Sequence, residues 1–126
     1  MKTAVGLRID YKEALIVTCM NQRDQIRRIP SHVEEIVADA DVTHVSQQER
    51  HDLRLDAHLT KYYGKVIGAI RHADAILIFG PGEAKGELKK RLKKANLSGR
   101  IVGMETVDKM TDHQIAAKVR QHFHSN

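Results

Sequence analysis

A chain of 126 residues, 41% of them hydrophobic, can bury one core without covalent staples, and it reads as one domain over residues 1–126. A single cysteine, Cys19, excludes an internal disulfide; no cysteine-based zinc site is expected, and the residue is expected to act as a small buried hydrophobe. The net charge of +5 suits an acidic partner, while three Tyr, two Phe and no Trp argue against binding single strands by base stacking. Neither a leader segment nor an apolar run of about 18 residues is present, so a soluble, cytoplasmic chain with no membrane partner is expected.

Residues 4–9 and 13–19 have the β-branched, apolar character of strands, and Asp10-Tyr11-Lys12 forms the turn between them. Residues 25–29 alternate polar and apolar, and Pro30 ends the run. The opening is therefore a three-stranded antiparallel meander, and its last strand leaves an exposed edge. Residues 31–50 show weak periodicity, with Val33, Ile36 and Val37 enough for one helical turn at most. This stretch reads as a long mobile connection.

From Asp52 to Arg71 the period is helical, with Leu55, Leu59, Tyr62, Tyr63, Val66, Ile67 and Ile70 on one face. Tyr62 and Tyr63 are adjacent, so one is expected to pack inward and the other to reach the rim. The apolar run 75–79 is a buried strand that stops at Gly80-Pro81-Gly82. A basic helix follows over 84–95, with Leu88 and Leu92 inward, and Asn96-Leu97-Ser98-Gly99 closes it. Residues 100–104 make another short strand. Thr111 with Gln114 three residues on is a capping box for a last helix, whose apolar side is Ile115, Ala116, Val119 and Phe123. The order βββ-α-β-α-β-α predicts a ribonuclease-H-like α/β/α sandwich on a mixed sheet, with its last two strands parallel.

Charge is concentrated in one place. Residues 83–100 hold seven lysines and arginines against two glutamates, an excess equal to the charge of the whole chain. A strand-to-helix junction presents free backbone N–H groups and the positive end of a helix dipole. Gly80, Pro81, Gly82 and Lys85 are therefore candidates for holding an anion. Lys89, Lys90, Arg91, Lys93 and Lys94 are candidates for nucleic-acid phosphate. The Gly-Lys-Ser/Thr ending of a phosphate-binding P-loop is missing, and the glycines equally fit a turn that needs positive φ or close packing. Glu105, Asp108 and Lys109 follow the last strand and should share a crevice with residues 80–85 at the ligand-binding end of the sheet.

Residue types also suggest two enzymatic or metal readings. Asp10, Asp56 and Glu83 could echo the carboxylates with which ribonuclease-H-like nucleases hold Mg²⁺. Acidic residues at turns and in first helical turns are common without such a role, and Glu83 is explained by the helix dipole. The eight histidines include His44, His51 and His58 at sevenfold spacing and His122 and His124 near the end, none in a metal-ligand pattern. No catalytic residue, metal site or cofactor is assigned.

Leu7-Arg8-Ile9-Asp10-Tyr11-Lys12-Glu13-Ala14 followed by Ile16-Val17, residues 73–89 around Gly80-Pro81-Gly82, and Glu105-Thr106-Val107-Asp108-Lys109-Met110-Thr111-Asp112-His113-Gln114-Ile115 resemble segments of a bacterial family often named translational machinery proteins. That family is similar to the third domain of archaeal and eukaryotic class-I peptide-chain release factors and of Pelota. The resemblance spans about residues 4–123 and is weakest over 31–50. It implies a sandwich fold and a link to translation, with the ribosome, RNA or a translation GTPase as partner. It does not imply peptide release, because no Gly-Gly-Gln tripeptide is present, and the stop-codon-reading Asn-Ile-Lys-Ser motif is also missing. A non-catalytic binding or adaptor role is the leading expectation. The alternatives are a metal-dependent nuclease or phosphohydrolase, and a homodimer formed through edge strand 25–29.

Overall fold

The apolar segments collect into one mixed sheet with helices on both faces. The structure, a computed structural model, describes residues 2–20, 23–33 and 45–124, of which 45–54 as backbone. In chain order the elements are β1 (Ala4–Ile9), β2 (Glu13–Met20), β3 (Arg23–Pro30), α1 (Val45–Ile70), β4 (Ala75–Gly80), α2 (Ala84–Lys94), a 3-10 turn (Ser98–Arg100), β5 (Ile101–Thr106) and α3 (Asp112–His124). The five strands lie in the order β3-β2-β1-β4-β5. The meander β1–β2–β3 is antiparallel, and β1·β4 and β4·β5 are parallel. This is the α/β/α sandwich anticipated from the element order.

The strands alternate as a two-faced sheet requires. Val5, Leu7, Ile9, Ile16, Ile76 and Ile78 face α1 and α2, where Tyr62, Val66, Ile70, Leu88 and Leu92 complete the larger core. Leu15, Val17, Cys19, Leu77 and Phe79 face α3 and meet Ile115, Ala116 and Val119. Gly6 lets α3 sit close, since a Cβ there would fall 2.4 Å from Val119 Cγ2.

Local chemistry sets the element ends. Asp10 accepts hydrogen bonds from the backbone N–H groups of Lys12 (2.8 Å) and Glu13 (2.9 Å), which closes the β1–β2 turn. Thr111 and Gln114 form the reciprocal capping box, with Gln114 N–H donating to Thr111 Oγ1 and Thr111 N–H to Gln114 Oε1. Asn96 adopts φ 60°, and Leu97 N–H reaches back to the Leu92 carbonyl at 2.8 Å. That is a left-handed C-terminal cap, with buried Leu97 as its apolar contact.

Two expectations change. The long helix begins at Val45 rather than Asp52, so residues 45–50 are helical and not part of a connecting loop. The mobility expected of residues 34–44 falls outside the described residues. Tyr62 and Tyr63 are both buried, at 2% and 1% exposure, with ring centroids 5.3 Å apart. Both fit because α1 is covered on two sides. Tyr62 Oη donates to the Asp10 carbonyl at 2.9 Å, while the Tyr63 ring lies beneath the Arg91 guanidinium of α2.

Candidate functional site

Because β1 and β4 run parallel, Asp10 and Gly80 leave the sheet at the same end. The chains are so close that a Cβ on Gly80 would fall 2.2 Å from the Ile9 carbonyl oxygen. The glycine at position 80 is therefore a packing requirement. Gly82 differs: its φ is not positive, and a Cβ there would meet nothing within 4 Å. The expected need for glycine in this turn holds at one position and not at the other.

Beyond the turn lies an open hollow of about 440 Å³ lined by Gly82, Glu83, Lys85, Gly86, Glu87, Lys90 and Met104. Its electrostatics are mixed. Lys85 Nζ folds back to donate to the Gly82 carbonyl, and Lys90 lies 3.8 Å from Glu87. Burial, then Glu83 and Glu87, raise the Tyr11 hydroxyl above its ordinary pKa. The first helical turn is thus poorer in positive potential than its backbone dipole alone provides.

The excess positive charge lies farther along α2. Ala84, Leu88 and Leu92 fill the inward stripe, and Lys89, Lys90, Lys93 and Lys94 are exposed on the opposite side. Arg91 is different. Its guanidinium carbon stands 4.9 Å from the Tyr63 ring centroid, and its Nη2 donates to Thr60 Oγ1 at 3.4 Å. Arg91 packs α2 onto α1 through a cation–π contact. Arg100 is likewise engaged, donating to the carbonyls of Arg71 (2.6 Å) and Ala73 (3.1 Å) at the end of α1. The seven cations of 83–100 divide into four outward lysines, two packing arginines and Lys85 on the turn.

The crevice expected with residues 105–109 forms only as backbone. Gly80 pairs with Thr106, and Val107 N–H donates to the Gly80 carbonyl at 3.1 Å. Strand alternation then sends Glu105 to the opposite face, where it pairs with Lys118 of α3 at 3.0 Å. Met104 lines the hollow instead. Asp108 and Lys109 are exposed on the following loop.

The carboxylate trio is not assembled. Asp10 is committed to the hairpin turn and to Arg8 Nη1 at 3.0 Å. Its partial burial would raise its pKa, but the Glu13 N–H, Arg8 and the Lys12 N–H together hold it below the ordinary carboxylate range. Asp56 and Glu83 are exposed. Among the described residues, a different set of candidate ligands comes together, with one ligand atom of each within 4.8 Å of the others: Cys19, Asp24 and His124. Sequence reasoning missed this set because β2, β3 and the last turn of α3 supply one residue each.

The fold is shared with known proteins. No family model and no curated protein sequence matches the chain. Among solved structures, Thermoplasma acidophilum Pelota superposes with a TM-score of 0.60 at 13% identity, over 90% of this chain and 30% of that one. Archaeoglobus fulgidus Pelota gives 0.56 at 12% identity, over 96% and 31%. An archaeal translation termination factor gives 0.58 at 10% identity, over 98% and 35%. The chain thus spans about a third of each, and the resemblance noted in the sequence holds at the level of fold. No helix among the described residues is long and apolar enough to cross a membrane.

Proposed function

We propose that this chain is a non-catalytic domain acting in translation, which docks on the ribosome through RNA phosphates met by the outward face of α2. The observation that carries the reading is the sorting of charge on that helix. Arg91 and Arg100 are consumed in packing, whereas Lys89, Lys90, Lys93 and Lys94 stand together in solvent. Lysines on flexible stems suit phosphate contacts that position a protein without reading sequence. The fold shared with Pelota and an archaeal termination factor supports translation as the setting. A translation GTPase is the protein-partner version of the same reading. The engagement of Asp10 in its turn weighs against a nuclease.

The test is co-sedimentation with ribosomes at low and high salt, followed by a salt titration against ribosomal RNA. Replacing all four lysines with glutamine should leave thermal stability nearly unchanged, because exposed charges contribute little. It should reduce the slope of log affinity against log salt by roughly 3, at about 0.7–0.9 per phosphate contact. An unchanged slope would remove RNA as the ligand and favour a protein partner.

A further inference from the structure

We propose that Cys19, Asp24 and His124 form a site for one Zn²⁺ ion that ties the end of α3 to the β2–β3 edge of the sheet. This site is separate from the lysine face and does not depend on the reading above. Three observations place it. First, one ligand atom from each residue lies within 4.8 Å of the other two. Tetrahedral zinc holds N, O and S ligands at about 2.0–2.3 Å, which sets them roughly 3.3–3.6 Å apart. His124 Nε2 and Asp24 Oδ1 are already 3.8 Å apart, close to that spacing.

Second, Asp24 Oδ1 is buried and makes no regular hydrogen bond among the described residues; the polar groups beside this carboxylate are the Cys19 thiol and His124 Nε2. A carboxylate oxygen left this way costs free energy unless a cation or other partner meets it. The other oxygen, Oδ2, is held by Arg120 Nε at 3.3 Å. Oδ1 lies near His124 and Cys19 while Arg120 engages the other oxygen from outside, as outer partners of metal-binding carboxylates commonly do. Third, the three ligands differ in exposure in a useful order. Cys19 is buried at 4%, the Asp24 side chain is 16% exposed and that of His124 43%. An ion could enter from the His124 side and leave its fourth position to water.

The donor set selects the metal. A thiolate and an imidazole disfavour Mg²⁺ and Ca²⁺, which take oxygen ligands, and favour zinc-like transition ions. Binding would exchange the Cys19 thiol proton for the metal: the S–H bond breaks, a Zn–S bond forms, and the proton leaves to solvent. No change of oxidation state is involved.

The test uses the full chain stripped of metal with a chelator, titrated with Co²⁺ alone and then with Zn²⁺. The wild type should take up one Co²⁺ with a thiolate-to-cobalt charge-transfer band, and Zn²⁺ should displace it. Cys19→Ser should lose the band. His124→Gln, a change at the open end that spares the core, should weaken binding by roughly 100-fold or more, since even outer partners of metal ligands are worth about 10–100-fold. Zn²⁺ should raise the melting temperature of the wild type and not of His124→Gln. A missing thiolate band in the wild type would overturn the site. Equal Zn²⁺ affinity in wild type and His124→Gln would overturn it too, because the metal would then sit on other histidines.

Discussion

Two glycines two residues apart separate packing from mere flexibility. Gly80→Ala drives a methyl group into the Ile9 carbonyl, a backbone atom that cannot swing aside. It should cost about 2–3 kcal/mol in urea unfolding, the range of an overpacked core position. Gly82→Ala opens onto free space and should stay within about 0.5 kcal/mol of the parent. The tyrosine pair gives a second contrast. Tyr62→Phe leaves the Asp10 carbonyl without its donor and should cost about 1–2 kcal/mol. Tyr63→Phe removes a buried hydroxyl that has no partner among the described residues, so it should be neutral or stabilising. Burial, the leading cause in both, raises the two hydroxyls above the ordinary tyrosine value of 10.0. The folded chain therefore keeps protons that the unfolded chain releases. This stabilisation is fully present below pH 10 and is lost as pH rises beyond it, by up to about 1.4 kcal/mol per pH unit for each tyrosine. Unfolding free energies measured across that range should fall with pH, and the Tyr62→Phe/Tyr63→Phe double variant should show a shallower fall.

At the scale of elements, what could be read in the sequence depended on whether a residue's neighbours lie close along the chain. The meander, the Thr111–Gln114 box and the β4–α2–β5 unit are local, and their signals were present in residues 4–30 and 75–115. The first turns of α1 were not legible, because residues 46–52 offer no apolar residue to mark a helical face. Burial of both Tyr62 and Tyr63 was hidden for a different reason. It requires α2 to cover the side of α1 that the sheet does not, which is a tertiary fact. Arg91 could have been found. It sits one residue before Leu92 and three after Leu88, so a 100° step places it on the inner flank of the helix. The direction of Glu105 was equally available from strand alternation with Met104. The Cys19–Asp24–His124 set was not, since its members are joined only by strand pairing and by the docking of α3. Arg100 is the element-scale test of this distinction. It donates to two carbonyls at the end of α1, so Arg100→Gln should lower stability by about 1–2 kcal/mol, as losing a charged hydrogen-bond donor does. A change in melting temperature with no change in RNA affinity is the outcome expected.

For the whole molecule, the question is whether a polyanion senses the net charge of +5 or a particular face. A field of that size steers charged partners from a distance regardless of which cations supply it. Direct phosphate contacts depend on where the cations stand. Two double variants separate these effects, because each removes two positive charges from residues 83–100. Arg91→Gln/Arg100→Gln takes them from side chains engaged with Tyr63, Thr60 and the carbonyls at the end of α1. Lys89→Gln/Lys93→Gln takes them from one exposed strip of α2, four residues apart on the same face. If contact governs binding, the lysine pair should reduce the salt slope by roughly 1.4–1.8 and leave the melting temperature alone. The arginine pair should do the reverse, melting earlier while keeping its slope. Measuring both variants against ribosomal RNA below their melting temperatures keeps stability out of the affinity comparison. Equal reductions in slope would mean that overall charge, and not the outward face of α2, draws the partner in.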